Sequence, residues 1–168
     1  PKEAFSAVEI SFSGDKVAIS TYKDEDSYIG VVDVEDAQET AAKEGEDEGG
    51  KEDAKNDDKT LGKKITSLDV LNGCKISSLN FSDDDGYVVV NYVKGNGTRF
   101  KVYQSGGSIV SLELDDIFAE EEYNLIYERI QDNNIIMNVT PIIKSNNTES
   151  GLIGRYKISL KDFKLEKL

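Results

Sequence analysis

The sequence predicts an all-β fold built from repeated four-stranded antiparallel sheets, and three observations support this. Short runs rich in Val, Ile, Tyr, Phe and Thr recur along most of the chain, and these residues favour strands. Several runs alternate apolar and polar residues with a period of two, as half-buried strands do. Turn-forming Gly, Asp, Asn and Ser separate the runs, and the chain contains only two prolines.

The apolar runs predict strands over most of the chain outside one acidic stretch. In chain order they cover residues 8–12, 16–22, 28–34, 64–70, 75–81, 87–93, 98–103, 108–114, 124–130, 134–140 and 152–160. The alternation places Val8, Ile10 and Phe12 on one face of the first of these strands. In the same way Val88, Val90 and Tyr92 share one face of the sixth. One short acidic helix is predicted over Asp115–Tyr123.

The turns between these strands are polar and contain glycine. Ser13-Gly14-Asp15 and Asp83-Asp84-Asp85-Gly86 predict tight turns in which Asp caps backbone amides and Gly takes a positive φ. Asn96-Gly97 is a strong hairpin signal. The charged segment from Lys23 to Asp26 predicts another hairpin tip.

An internal repeat groups the strands in fours. FSGDKVAIS, starting at Phe12, resembles FSDDDGYVVV, starting at Phe81, and the two phenylalanines lie 69 residues apart. IQDNNIIMNV, starting at Ile130, is a fainter third copy. Four strands in every 40–50 residues are typical of β-propeller blades, which bury both of their faces by stacking. The sequence therefore predicts a single β-propeller segment over residues 1–168, made of about three four-stranded antiparallel blades.

The repeats resemble WD-repeat blades. Phe12-Ser13-Gly14-Asp15 and Phe81-Ser82 with the following acidic turn stand where that family has an aromatic, a Ser and a Pro-Asp-Gly-like turn. Val32-Asp33 and Val102-Tyr103 stand where its Trp-Asp pair falls. The family's Gly-His pair and every Trp are missing, and TolB-type propellers show a similar strand–turn–strand pattern. The resemblance implies a protein-binding platform, and we expect the remaining blades to lie outside this sequence, because three blades cannot close a ring.

One segment differs sharply from the rest in composition. Residues 35–59 contain eleven acidic and four basic residues, a net charge of −7, and no Val, Ile, Leu or aromatic residue. Such a segment cannot bury enough apolar surface to offset the entropy cost of ordering it. We therefore predict an acidic disordered insertion over residues 35–62, within the first blade. It is either a solvated linker or a docking segment for a basic protein partner; the docking residues would be Glu44, Glu46, Asp47, Glu48, Glu52 and Asp53.

Composition excludes several classes of function. The net charge of −13 argues against nucleic-acid binding, which needs a basic face. No apolar stretch approaches the roughly 20 residues of a membrane-spanning helix. The chain has no His, and its single cysteine, Cys74, is expected to be a small buried hydrophobe. No catalytic, cofactor-binding or metal-binding residues are predicted; the acidic turn at Asp83–Gly86 departs from the EF-hand pattern and is interpreted as a turn.

These observations favour a non-enzymatic interaction scaffold. Two alternatives remain open: an extracytoplasmic bacterial propeller of the TolB type that binds a ligand or envelope partner, and a self-contained β-sandwich binding module. The scarcity of cysteine fits a reducing cytoplasm, which we take as the expected location, and fits a bacterial surface protein equally well.

Overall fold

The computed structural model describes residues 4–34, 65–110, 112–142 and 150–168. The described chain forms three four-stranded antiparallel sheets, each a meander of sequential strands, which we call blades 1, 2 and 3. The prediction of an all-β, blade-like fold is therefore confirmed. Three stacked sheets also differ from the two-sheet sandwich that was considered as an alternative.

The strands follow one another in chain order, four to a blade. Blade 1 contains β1 (Ala4–Ile10), β2 (Lys16–Lys23), β3 (Asp26–Asp33) and β4 (Ile65–Asn72). Blade 2 contains β5 (Lys75–Phe81), β6 (Tyr87–Lys94), β7 (Gly97–Gln104) and β8 (Ile109–Val110). Blade 3 contains β9 (Tyr123–Gln131), β10 (Asn134–Pro141), β11 (Gly154–Ser159) and β12 (Leu165–Lys167).

Blade 2 lies between the other two blades and is buried on both faces. Val88, Val89 and Val90 follow one another in β6, and each is 0% exposed. Val88 and Val90 belong to the core shared with blade 1, and Val89 belongs to the core shared with blade 3. Because successive strand residues point to opposite faces, three consecutive buried valines require a neighbouring sheet on each side.

The two cores join side chains from neighbouring blades. The core between blades 1 and 2 contains Ala18, Ile29, Val31, Leu71, Cys74, Ile76, Leu79, Val88, Val90, Tyr92 and Tyr103. The core between blades 2 and 3 includes Val89, Phe100, Val102, Val110, Leu125, Ile135, Met137, Val139, Tyr156 and Ile158. Burial of Cys74 raises the pKa of its thiol, as expected for a small buried hydrophobe.

A repeated serine turn begins the second strand of blades 1 and 2. The Ser11 hydroxyl accepts a hydrogen bond from the Lys16 amide at 3.0 Å, and the Ser82 hydroxyl accepts one from the Tyr87 amide at 2.9 Å. The structure thus equates Ser11 with Ser82, 71 residues apart, whereas the sequence comparison equated Phe12 with Phe81. That comparison followed the Phe-Ser pairs; the hydrogen bonds of the turn determine the true register.

Several hairpin turns differ from expectation in detail. In the acidic turn the positive φ is taken by Asp85 and not by Gly86, which has none. The hairpin predicted at Asn96-Gly97 forms one residue earlier, since Gly95 takes the positive φ and Gly97 already pairs with Lys94. The Lys23–Asp26 hairpin tip is present as predicted.

The predicted helix is shorter than the acidic run that suggested it. The helix α1 covers Leu114–Ile117, and residues 120–122 form a turn. Leu114 and Phe118 point into the core between blades 2 and 3, so burial of these two side chains positions α1. The sequence predicts no strand beyond residue 160, so β12 (Leu165–Lys167) is an additional element, whereas the predicted run over residues 152–160 contains β11.

The acidic insertion predicted over residues 35–62 lies outside the described residues. The six predicted docking residues, Glu44, Glu46, Asp47, Glu48, Glu52 and Asp53, lie there too, so their role stays a prediction. The described residues on either side of it, Val34 and Ile65, follow β3 and begin β4 in blade 1.

Candidate interaction surface

The face of blade 1 that points away from blade 2 is apolar, and none of the described residues covers it. Ala18, Ile29 and Val31 face blade 2. Because successive residues of a strand point to opposite sides of the sheet, the residues next to them in sequence face outward. We call it the blade 1 outer face, and it consists of Val8, Ile10, Val17, Ile19, Thr21, Tyr28, Gly30, Val32, Ile65, Ser67 and Val70. None of these residues is charged. Val8 is 56% exposed and Ile10 63% exposed, although both are large hydrophobic residues.

The side chains of this face are aligned across the four strands. One cross-strand row joins Ile10, Val17, Val32 and Ile65. A second joins Val8, Ile19, Gly30 and Ser67, and a third joins Thr21, Tyr28 and Val70. Cross-strand neighbours of this kind stabilise one another and form a continuous surface. The result is one connected apolar patch, of the type that marks an interaction site on a soluble protein.

A shallow hollow lies on this face above Gly30. It has a volume of about 410 Å³ and is lined by Ile19, Thr21, Tyr28, Ile29, Gly30, Ile65 and Ser67. A Cβ atom at Gly30 would lie 2.8 Å from Cγ2 of Ile65, so no larger residue fits unless the Ile65 side chain moves. Glycine therefore lets two strands approach closely and leaves space that a projecting side chain from a partner could fill.

Blade 1 and blade 2 match position by position over their first three strands, with a constant offset of 71 residues. The β-bulge between Phe5 and Ala7 recurs between Ile76 and Ser78. The outward residues of blade 1 correspond to Leu79, Phe81, Val88, Val90, Tyr92, Arg99, Lys101 and Tyr103 of blade 2. Most of those positions lie in the core that blade 1 covers. The exposed face of blade 1 is thus equivalent to a face that is covered in blade 2.

The outward face of blade 3 has the opposite character. The guanidinium of Arg155 donates to both carboxylate oxygens of Glu128, at 3.1 and 2.6 Å. Lys157 and Glu166 form another ion pair at 2.7 Å. Paired charges on an exposed sheet face remain solvated at little cost, so this face needs no covering partner. The two ends of the three-blade stack are therefore chemically different.

A single carboxylate links the turns of blades 1 and 2. Asp85 accepts hydrogen bonds from the backbone amides of Phe12 and Ser13, at 2.7 and 3.0 Å. Burial raises the pKa of the Asp85 carboxyl, but the hydrogen bonds from Ser13 and Phe12 outweigh it, and the net shift is downward. Asp84 serves its own turn by accepting hydrogen bonds from Ser82 and Gly86, so the acidic cluster acts as a structural turn, as predicted.

Sequence reasoning did not identify the blade 1 outer face as a candidate site. Val8 and Ile10 share one face of β1, as predicted, but it is the exposed face. Phe12, predicted on the same strand face, lies in the turn after β1 and is 88% exposed. The signal that could have revealed the site is the scarcity of charge at the alternate positions of four adjacent strands, where only Lys23 and Asp26 at the hairpin tip are charged. In the part of the chain that the structure describes, no group of three or more His, Cys, Asp or Glu residues could hold a metal ion. No helix there is long and apolar enough to cross a membrane.

Comparison with known proteins relates the chain to solved structures through its fold alone. No family model matches the sequence, and no curated protein matches it. An uncharacterized protein from Listeria monocytogenes EGD-e is similar in structure, with a TM-score of 0.52 and 10% identity. That match covers 98% of this chain and 40% of the other. A prolyl endopeptidase gives a TM-score of 0.44 at 10% identity, covering 98% of this chain and 28% of the other. The chain thus spans less than half the length of either protein.

Proposed function

We propose that this chain is a non-enzymatic, propeller-like scaffold that binds a protein partner through the blade 1 outer face. The observation that carries the proposal is this uncharged surface, in which apolar side chains are aligned across four strands and remain exposed. Covering one large aliphatic side chain contributes about 1.5–3 kcal/mol. A partner that covers several of them, including Ile10, Ile19 and Ile65, therefore gains substantial binding free energy.

The resemblance to WD-repeat blades supports the same role, because propellers of that family usually bind partners. The chain's lack of His and of a recognisable nucleophile–base pair supports a scaffold without catalysis. The acidic segment would add a salt-sensitive contact to a basic region of the same partner. A cytoplasmic location belongs to this proposal, with an extracytoplasmic TolB-type propeller as the alternative.

The proposal is tested by placing a charge on the surface. Ile19 lies in the middle of the blade 1 outer face, and the Ile19→Lys variant puts a cation among apolar neighbours without altering the core shared with blade 2. Binding of a bis-anilinonaphthalene dye is measured for both proteins. We expect the variant to lose most of the dye signal, about ten-fold or more.

The matched control places the same charge on the other end of the stack. Ile126 lies on the outward face of blade 3 and is 38% exposed, so the Ile126→Lys variant changes charge and hydrophobic area in a comparable way. We expect it to retain the dye binding of the unchanged protein. Equal behaviour of Ile19→Lys and the unchanged protein would show that the blade 1 outer face is not an interaction surface.

A further inference from the structure

We propose that the partner of the blade 1 outer face is a further four-stranded antiparallel blade, and that the stack extends only on this side. The inference rests on the proposed function, because it names what binds the same surface. It states a direction that the repeat alone does not give: blade 1 accepts a neighbour, and blade 3 does not.

Blade 2 shows what covers a face of this kind. Val17 and Ile19 of blade 1 are equivalent to Val88 and Val90 of blade 2, with the same strand pairing and the same offset. In blade 2 those two valines are 0% exposed because blade 1 packs on them. Where the faces differ, blade 1 is the less polar of the two: Gly30 stands where blade 2 has Lys101. A surface at least as apolar, in the same register, fits the same kind of neighbour.

The packing between blades 1 and 2 also indicates the chemistry of the missing blade's contact face. Blade 1 contacts blade 2 with small residues on its second strand, Ala18 and Ser20, and branched aliphatic residues on its third, Ile29 and Val31. Small residues allow the two sheets to approach, and the branched side chains fill the space between them. We therefore expect the missing blade to carry small residues on its second strand, branched aliphatic residues on its third, and no unpaired charge between them.

The contact between the missing blade and blade 1 would differ from the contact between blades 1 and 2 at the turn before the second strand. Asp85 links the turn of blade 2 to that of blade 1, but the equivalent position in blade 1 is Gly14, which has no side chain. Both residues have positive φ, at 55° and 82°, so the turns share a conformation but not the carboxylate. The missing blade would accordingly be held by apolar packing, with no charge-assisted link at this turn.

Other occupants fit the surface less well. Residues 35–59 carry no Val, Ile, Leu or aromatic side chain and cannot cover an apolar face. The outward face of blade 3 from a second copy would bring Glu128, Arg155 and Lys157 against uncharged side chains. Burying these ion pairs there would carry a desolvation penalty that the attraction within the pairs does not offset. Packing of two blade 1 outer faces against each other has no counterpart among the described blades.

The constant offset permits a direct test, in which a fourth blade is added to the chain. Residue 75 begins β5 directly after Cys74, and residue 4 is its equivalent at the start of β1. A second copy of residues 4–74, in which residues 34–63 are replaced by an Asn-Gly turn, is joined through its Cys74 to Ala4 of the full chain. This junction reproduces the natural connection between blades 1 and 2.

A single tryptophan reports whether the face becomes covered. The chain contains no Trp, so Tyr28→Trp in the original blade 1 places the only indole on the blade 1 outer face. We expect the added blade to shift its emission to the blue and to reduce its quenching by iodide several-fold. The control fusion carries Ile29→Lys and Val31→Lys in the added copy only, and its tryptophan is expected to remain as quenchable as in the chain without the added blade.

The outcomes separate this inference from the proposed function. Equal quenching in the fusion and its control, or an added blade that gains no hydrogen-exchange protection, overturns the inference. If Ile19→Lys still abolishes dye binding in that case, the surface is an interface for another kind of partner and the proposed function stands. Protection of the tryptophan in the chain without the added blade, increasing with protein concentration, would identify a second copy as the occupant and also overturn the inference.

Discussion

The carboxylate of Asp85 accepts a hydrogen bond of 2.7 Å from the backbone amide of Phe12, which lies in the neighbouring blade. Its other oxygen accepts one of 3.0 Å from the amide of Ser13. This side chain of blade 2 therefore satisfies two backbone donors in the turn of blade 1. The blades are joined at their turns by polar contacts and along their strands by apolar packing.

Replacing Asp85 should weaken the link between blades 1 and 2. We expect Asp85→Asn, which tolerates the positive φ of this residue, to lower the free energy of unfolding by about 1 kcal/mol, since hydrogen bonds to a charged group contribute more than neutral ones and solvent exposure reduces that gain. Chemical denaturation at neutral pH measures the loss. Asp83→Asn is the matched control, at an exposed residue of the same turn. A loss of equal size in both variants would contradict a specific role for Asp85.

The same carboxylate predicts a dependence of stability on acid pH. Because the pKa of Asp85 is lower in the folded protein than its ordinary value, ionisation of this group stabilises the folded state. That contribution is complete above the ordinary Asp pKa of about 3.9 and is lost as the pH falls through the lowered folded pKa. The difference in unfolding free energy between the unchanged protein and Asp85→Asn should therefore shrink in this window. A difference that stays constant down to pH 2 would contradict the prediction.

Tyr103 and Asp69 form a second polar link between the first two blades. The Tyr103 hydroxyl donates to a carboxylate oxygen of Asp69 at 2.7 Å, and the Tyr103 side chain is fully buried. We expect Tyr103→Phe to cost about 1–2 kcal/mol of stability, because the phenyl ring keeps the packing and only the hydrogen bond is lost. A double-mutant cycle with Asp69→Asn measures the coupling. Additive losses would show that the two side chains do not interact.

Tyr92 predicts an alkaline limit to stability. Burial, followed by the nearby charge of Asp115, raises the pKa of Tyr92 to about 12. A raised pKa in the folded state gives stability that is complete below the ordinary tyrosine value of about 10 and is lost as the pH rises towards 12. Tyr92→Phe should flatten the unfolding free energy over this range. Tyr22→Phe, at an exposed position, should leave the alkaline slope unchanged.

The sequence predicted the strands well because their alternation is local. The grouping into fours also followed from the sequence, since each blade is a meander of neighbouring strands. Whether a given sheet face is covered by a neighbouring blade could not be derived in this way. Val8 and Val88 stand in similar patterns, yet one is exposed and the other 0% exposed, because only blade 2 has a neighbour on both sides. That difference depends on the position of a blade in the stack, which no local pattern encodes.

The offset between equivalent residues of blades 1 and 2 also could not be derived from a local pattern. Matching Phe12 to Phe81 gives an offset of 69, whereas the turn hydrogen bonds of Ser11 and Ser82 give 71. Phe81 lies in β5, but Phe12 lies in the turn, so the same dipeptide occupies two different places. Side-chain identity is a weaker guide to equivalence than the position of a hydroxyl that must satisfy a backbone amide.

The acidic segment supplies a prediction about salt dependence. If the docking hypothesis holds, the unchanged chain should bind a lysine-rich peptide with an affinity that decreases steeply as salt increases. Deletion of residues 36–58 should remove most of this binding at low salt. A scrambled segment of the same composition is the control, and it should retain the binding because net charge is unchanged. Unaltered binding after deletion would show that the segment is only a solvated linker.

Arg99 is the most deeply buried cation in the described part of the chain. Its side chain is 2% exposed; it donates to the Phe118 carbonyl at 2.8 Å and lies 3.1 Å from the carboxylate of Asp115, which is 74% exposed. Neither Nε nor Nη1 makes a hydrogen bond, so the buried charge depends on the Phe118 carbonyl and on the nearby solvated carboxylate of Asp115. Removing the anion from such a pair leaves an uncompensated buried charge, and this costs more than removing both partners.

We therefore expect Asp115→Asn to lower the free energy of unfolding by about 1–2 kcal/mol, less than for a fully buried pair because water also reaches Asp115. The loss should largely disappear when Asp115→Asn is introduced into an Arg99→Met background, where no buried charge remains. Asp116→Asn, at the next position in α1, is the matched control and should change stability little. Equal effects of Asp115→Asn in both backgrounds would show that the guanidinium does not depend on this carboxylate. The position of α1 would then be attributed to the packing of Leu114 and Phe118 alone.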